Sequence, residues 1–405
     1  MKDSLEGIRP FSLLSRNFIC ICLSSFLYFG SFYLLLPVLP QFVAWLGGTT
    51  SQIGLVTGFF TMMSVITRPY FGKLADKYGR KKIMMFGAGL FALLFFAYGQ
   101  MQTIVPLYIL RVMHGIAHGS YLAAAFAYVA DLAPAARRGE VMGIYGAANV
   151  VAMALFPAWG SSIITNTHDF SILFVTAIAA AGAGFLAILF IDEIKPEESR
   201  NQNANIMAII RHRAVLVASL TLFAAATLYG TVITFLPVYA PERGIIHFGV
   251  FFTTYAAFTL ISRIIAGKLS DRFGRRAVIL PFLSFVAVAA FLLPFVNSVT
   301  MLIVIGGLFG FGFGAFMPAL NAFVVDEVSP GERASALAVF TAFMDVGITT
   351  GAVFLGIIGE FWGYASMFGV GGGIVVLGIL LFAVGARPAF MKKNCQMIQK
   401  NEDKS

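Results

Sequence analysis

Twelve apolar stretches, each of about twenty residues or more, run through this sequence with little between them: near 17–43, 52–71, 83–101, 104–131, 139–165, 170–191, 214–239, 247–266, 277–296, 299–325, 333–358 and 364–386. A membrane span needs about 20 mostly apolar residues, and soluble domains average roughly 25% charged residues. Here 12% of 405 residues are charged and 59% are hydrophobic, more apolar surface than one water-soluble core can hide. The solvent for this chain is lipid, and the expected fold is all-α with twelve transmembrane helices. The first run, after Arg16, is too long for a secretory signal core and has no small-residue cleavage site behind it, so it counts as span 1.

A net charge of +9 could mark a nucleic-acid binder, but the positions of the charges decide otherwise. Nearly all of the 28 Lys and Arg fall in the N-terminal segment, in the connections after the even spans, at the edges of those spans or in the C-terminal tail. Arg243 lies in an opposite-side connection, and Arg111 lies inside span 4. By the positive-inside rule both termini are expected in the cytoplasm of a multi-pass plasma-membrane protein, which in a bacterium is the inner membrane. Cys20, Cys22 and Cys395 build neither a disulfide framework nor a metal site, and no cofactor is expected.

The chain also repeats itself. GKLADKYGRKK at 72–82 returns as GKLSDRFGRR at 267–276, ADLAPAAR at 130–137 as DEVSPGER at 326–333, and YFGSFYLLLPV at 28–38 as LYGTVITFLPV at 228–238, at offsets of 195, 196 and 200. The second offset sets Asp131 against Glu327 and leaves Asp326 unassigned. Two six-helix bundles related by an axis along the membrane normal follow from three matches in one order. The expected units are 1–195, a cytoplasmic linker 196–213, a second bundle 214–390 and a tail 391–405.

The GxLxDxxGRR pattern after spans 2 and 8 resembles the loop signature of the major facilitator superfamily, drug/proton-antiporter-like members included. RVMHGIAHG at 111–119 is similar to that family's fourth-helix motif, with His114 where a Gln is usual and Gly115 in register. The Pro-Glu-Ser motif of sugar porters is missing after span 6. The glycine-rich end that antiporters carry on the fifth helix is reduced to Phe156, Pro157, Ala158, Trp159, Gly160 and Ser161, which keeps a proline kink and one close-packing glycine. The resemblance implies that spans 1, 4, 7 and 10 line a cavity, that 2, 5, 8 and 11 lie between the halves, and that 3, 6, 9 and 12 face lipid. It also implies a conformational latch that holds the two halves together on the cytoplasmic side in the outward-open state, made in the first half by Gly72, Asp76, Gly79, Arg80 and Asp131. Gly267, Asp271, Gly274, Arg275 and Glu327 correspond in the second half. The glycines allow sharp turns, Asp76 can accept from exposed helix-end amides, and Arg80 can pair with Asp131. Lys73, Lys77, Lys81 and Lys82 are read as topology signals.

An ionisable group within a span costs roughly 2.5–3.5 kcal/mol on insertion scales, so each marks a functional position by default. Asp345 is the one acid in mid-span, about 18 Å beyond Arg333 by helical rise, with Thr341 and Thr349 one turn to either side. Asn149 is its counterpart in the first half, so the duplication carries an acid on one side and an amide on the other. Arg111, His114 and His118 project from one face of span 4. Arg111 is expected about 12 Å nearer the outside than Asp345, so the two need not pair. Tyr28, Tyr33, Tyr229 and Asn321 complete the candidate cavity residues.

No HExxH, GxSxG or GxxxxGK[ST] occurs, so neither an enzyme nor an ATP-driven pump is expected. The leading expectation is a monomeric secondary transporter working by alternating access, coupled to protons and exporting a small organic solute. A nutrient importer by symport or facilitation is the alternative, and a non-transporting membrane receptor stands behind both.

Overall fold

A computed structural model describes residues 13–134, 137–194, 206–329 and 332–386. Cys395, the tail 391–405 and most of the expected linker lie outside them. Span 1 is two helices, Arg16–Leu35 and Leu39–Trp45, broken at Pro37, whose ring cannot continue the helix ladder. Spans 2 to 6 are Thr50–Tyr78, Arg80–Tyr98, Ile104–Leu132, Arg138–Thr167 and Phe170–Leu189. A short helix, Ile206–Arg211, leads into spans 7 to 10: Arg213–Glu242, Gly249–Phe273, Arg275–Leu292 and Val299–Glu327. Spans 11 and 12 are one helical run, Arg333–Gly385, that folds back at Gly363, where φ is +78°. Ten helices among the described residues are long and apolar enough to cross a bilayer, this double run among them. Ile104–Leu132 completes the twelve; its 29 residues carry Arg111, His114 and His118, which dilute its apolar character.

Helices are the required choice in lipid, where every backbone polar group must be satisfied internally. Their packing repeats from one half to the other. Span 1 packs on 5 and 6, span 2 on 4, and span 3 on 4 and 6; likewise span 7 packs on 11 and 12, span 8 on 10, and span 9 on 10 and 12. The halves meet along two seams, span 2 against span 11 and span 5 against span 8. Spans 3, 6, 9 and 12 stay outside both seams and expose Leu93, Phe96, Val175, Leu186, Val288, Phe291, Leu377 and Leu380, as an outer ring in lipid should.

The expected loops after spans 2 and 8 are shorter than their motif. Span 2 continues through Gly72 to Tyr78, and the whole turn into span 3 is Gly79, with φ at +103°. Gly274, with φ at +86°, does the same between spans 8 and 9. Only glycine adopts such values freely. Gly72 and Gly267 are therefore not turn residues, as expected from sequence, but helix-interior ones. A helix of 29 residues is about 44 Å long against a hydrocarbon core of roughly 30 Å, so span 2 carries its motif past the lipid while still helical.

Candidate functional site

A cavity of about 170 Å³ lies between the bundles, walled by Phe32, Tyr33 and Leu36 of span 1, Thr57, Phe60, Thr61, Ser64 and Arg68 of span 2, Arg111 and His118 of span 4, Tyr229, Ile233 and Thr234 of span 7, and Met344, Asp345 and Ile348 of span 11. Spans 1, 4 and 7 line it as expected. Span 10 does not: Phe309 and Phe313 pack with Tyr229 and Tyr255, and this ring cluster stands between span 10 and the cavity. Spans 2 and 11 take its place. Asn321 of span 10 is half-buried and off the wall.

Asp345 is bound by a residue that hydropathy placed at a helix edge. Arg68 Nη1 donates to Asp345 Oδ2 at 2.6 Å, across the seam of spans 2 and 11. The flanking threonines do not hold the carboxylate. Thr349 donates to the Asp345 carbonyl and shares a hydrogen bond with Thr61, while Thr341 donates to carbonyls of its own helix. Arg68 was legible as a motif, since it stands four residues before Gly72 just as Arg263 stands four before Gly267. What hid it was the expectation that the span ended near 71. With span 2 running to Tyr78, Arg68 sits ten residues inside its end, about 15 Å.

Arg111 is buried and does not reach Asp345. Its Nε donates to the Val56 carbonyl (3.1 Å), its Nη1 donates to the Tyr98 hydroxyl (3.2 Å), and its guanidinium lies 4.1 Å from the Phe60 ring centroid. All three partners are neutral; stacking on an aromatic face is a use to which guanidinium is suited. His114 shares a hydrogen bond with Tyr98 through Nδ1 (2.9 Å), and its Nε2 is buried with no hydrogen-bond partner among the described residues. His118 shares one with Tyr28 (3.1 Å) and reaches the cavity wall.

Of the four other candidates, Tyr33 and Tyr229 line the cavity. Tyr33 donates to Asn149 Oδ1 at 3.1 Å, which brings span 1 to the seam of spans 5 and 8. Tyr28 is instead a core residue, fully buried and stacked 3.8 Å from Tyr121. Ser25 bonds both Tyr121 and Tyr145, so spans 1, 4 and 5 share a closed polar network, as buried hydroxyls require.

At the face where span 1 begins and span 12 ends, Arg80 bonds Asp76 and also Asp131, the latter at 3.0 Å. These contacts join spans 2, 3 and 4 of one bundle. In the second bundle Arg275 bonds Asp326, at 3.0 Å, and not the expected Glu327. The offset of 195 that relates Arg80 to Arg275 also relates Asp131 to Asp326. A one-residue slip turns a helical side chain by about 100°, enough to take Glu327 away. Asp271 lies on helix at the corresponding place.

Residues 21–250 and 244–396 match the Major Facilitator Superfamily, and the chain belongs to that family of membrane transporters. The multidrug resistance protein MdtG of Salmonella typhi is 26% identical over 376 residues, covering 89% of this chain and 93% of that one. Two solved structures share the fold. The nucleoside transporter NupG superposes with a TM-score of 0.76 at 17% identity over 91% of this chain and 99% of its own. A bacterial homolog of the human lysosomal transporter Spinster, inward-facing and occupied, gives 0.74 at 16% identity over 94% and 96%.

Proposed function

We propose that this chain is a proton-coupled secondary transporter that exports a small organic solute by alternating access. The observation that carries this reading is the Arg68–Asp345 pair, which bridges the bundles and faces the cavity at the same time. A carboxylate so placed has two states with different mechanical consequences. Ionised, it holds Arg68 across the seam; protonated, it gives up the charge attraction and the seam can part at that level. A proton taken up from one side and released to the other is then tied to the rocking of the bundles, provided the cavity opens to each side in turn. The outward direction rests on the likeness to a multidrug resistance protein.

Inside-out vesicles with a respiration-acidified lumen test both parts. Organic dyes should accumulate in the lumen, and a protonophore should abolish the gradient. Asp345→Asn should keep dye binding and exchange while losing roughly tenfold or more of the accumulation. Undiminished concentrative accumulation in that variant removes Asp345 from the coupling. Dye expelled from the acidified lumen makes the chain an importer.

A further inference from the structure

The repeat places arginines at matching positions, Arg68 on span 2 and Arg263 on span 8, each ten residues before the end of its helix. Their acid partners do not match. Arg68 has Asp345 on span 11, whereas span 5, which packs against Arg263's helix, carries no acid beyond Glu140; the 196-residue offset sets Asn149 against Asp345 and the 195-residue offset sets Val150. Asn149 already accepts from the Tyr33 hydroxyl. No described residue hydrogen-bonds or ion-pairs with Arg263, which lies near enough to Tyr33 and Tyr255 to act on both phenols electrostatically. Arg111 has only neutral partners. Three mid-span guanidinium groups thus share one carboxylate, and Arg263, exposed in this structure, is the one left open to an anionic group arriving from solution.

We propose that the missing counter-charge is the cargo: an organic anion, carrying a carboxylate or a similar oxyacid group beside an aromatic or apolar body, with Arg263 as its specificity-determining residue. Arg263 would take the anionic group in the forked geometry that guanidinium offers an oxyacid. The phenols of Tyr33 and Tyr229 and the ring of Phe32 line the neighbouring cavity wall and suit the apolar body. Asn149 is the residue that keeps Arg263 available, because an acid at that position would rebuild the Arg68–Asp345 arrangement on the second seam and neutralise the site from within. The inference deepens the transport reading, on which it rests only in taking the cavity for the cargo site.

Matched dyes test it. Fluorescein is a xanthene anion and rhodamine 6G a xanthene cation of similar shape, and fluorescence polarisation on the purified full chain reads the binding of each at equilibrium. Fluorescein should bind roughly tenfold or more tightly than rhodamine 6G. Arg263→Gln should remove that preference, and Arg263→Lys should keep part of it. Asn149→Asp should remove it as well, although the arginine is still present, which separates charge matching from loss of a packing residue. Thermal unfolding of each variant checks that the chain still folds. Tighter binding of the cation, no binding of either dye, or a preference untouched by both Arg263→Gln and Asn149→Asp overturns the proposal. The measurement needs no gradient, so a failure of proton coupling in vesicles leaves this result standing, and the reverse also holds.

Discussion

The two ends of the seams between the bundles are built from the same residue type and used differently. At the far end, where span 2 begins, a Cβ at Gly54 would collide with the Ala352 carbonyl, one at Gly58 with the Val353 side chain, and one at Gly249 with Ser161. Ser51 N–H donates to Glu360 there at 2.8 Å, and Thr61 and Thr349 share a bond one level below. Towards the near end, where span 2 stops, the corresponding helices carry Gly72, Gly143, Gly146 and Gly267, and a Cβ at any of them would meet nothing within 4 Å. Close helix packing is the natural use of glycine in membrane seams. One set is engaged in close packing and the other is not, so in this structure the seams are tightly packed at the far end and open around the near-end glycines.

Substitutions at the two ends should therefore fail in different ways. The largest effect is expected from Gly54→Leu, because the obstacle is backbone that cannot move aside; overpacking costs about 1–3 kcal/mol even where side chains can adjust. Transport should fall by about 100-fold, and a Ser51→Cys/Glu360→Cys pair should lose its cross-linking. Retained flux with retained cross-linking would mean that the far end closes without this contact. A smaller effect, near tenfold, is expected from Gly72→Leu combined with Gly267→Leu. Here the far-end cross-link should persist and thermal stability should stay unchanged, since a Cβ at either position meets nothing within 4 Å in this state. Unchanged flux in that variant would break the comparison. The smallest effects sharpen it at the second-half cluster. Asp326→Asn should slow transport by about two- to fivefold, in line with the 0.2–1 kcal/mol typical of an exposed ion pair. Glu327→Gln should leave it alone; the opposite order would restore the original register.

Sequence made the architecture legible because lipid imposes a coarse rule that apolar length satisfies, and because the repeat could be read letter by letter. The outer ring of spans 3, 6, 9 and 12 and the pairing of Arg80 with Asp131 were both within its reach. Errors gathered where a span leaves the bilayer without ceasing to be a helix. Hydropathy stops near Phe71 although the helix goes on to Tyr78, and that difference moved Arg68 from the cavity to an edge. Tyr28 was misplaced for another reason: periodicity on a helix apolar all round does not say which side faces its own bundle. Its His118 and Tyr121 contacts settle the matter.

Gly363 has a mechanical consequence. Spans 11 and 12 meet at this single left-handed residue within one helical run, so no slack chain separates the helix that holds Asp345 from the lipid-facing helix behind it. The two form a lever pivoted on one residue. Any tilt of span 11 must be transmitted to span 12 or absorbed within a few dihedral angles at the pivot, and the force needed to swing the seam therefore includes the work of displacing the lipid around the outermost helix.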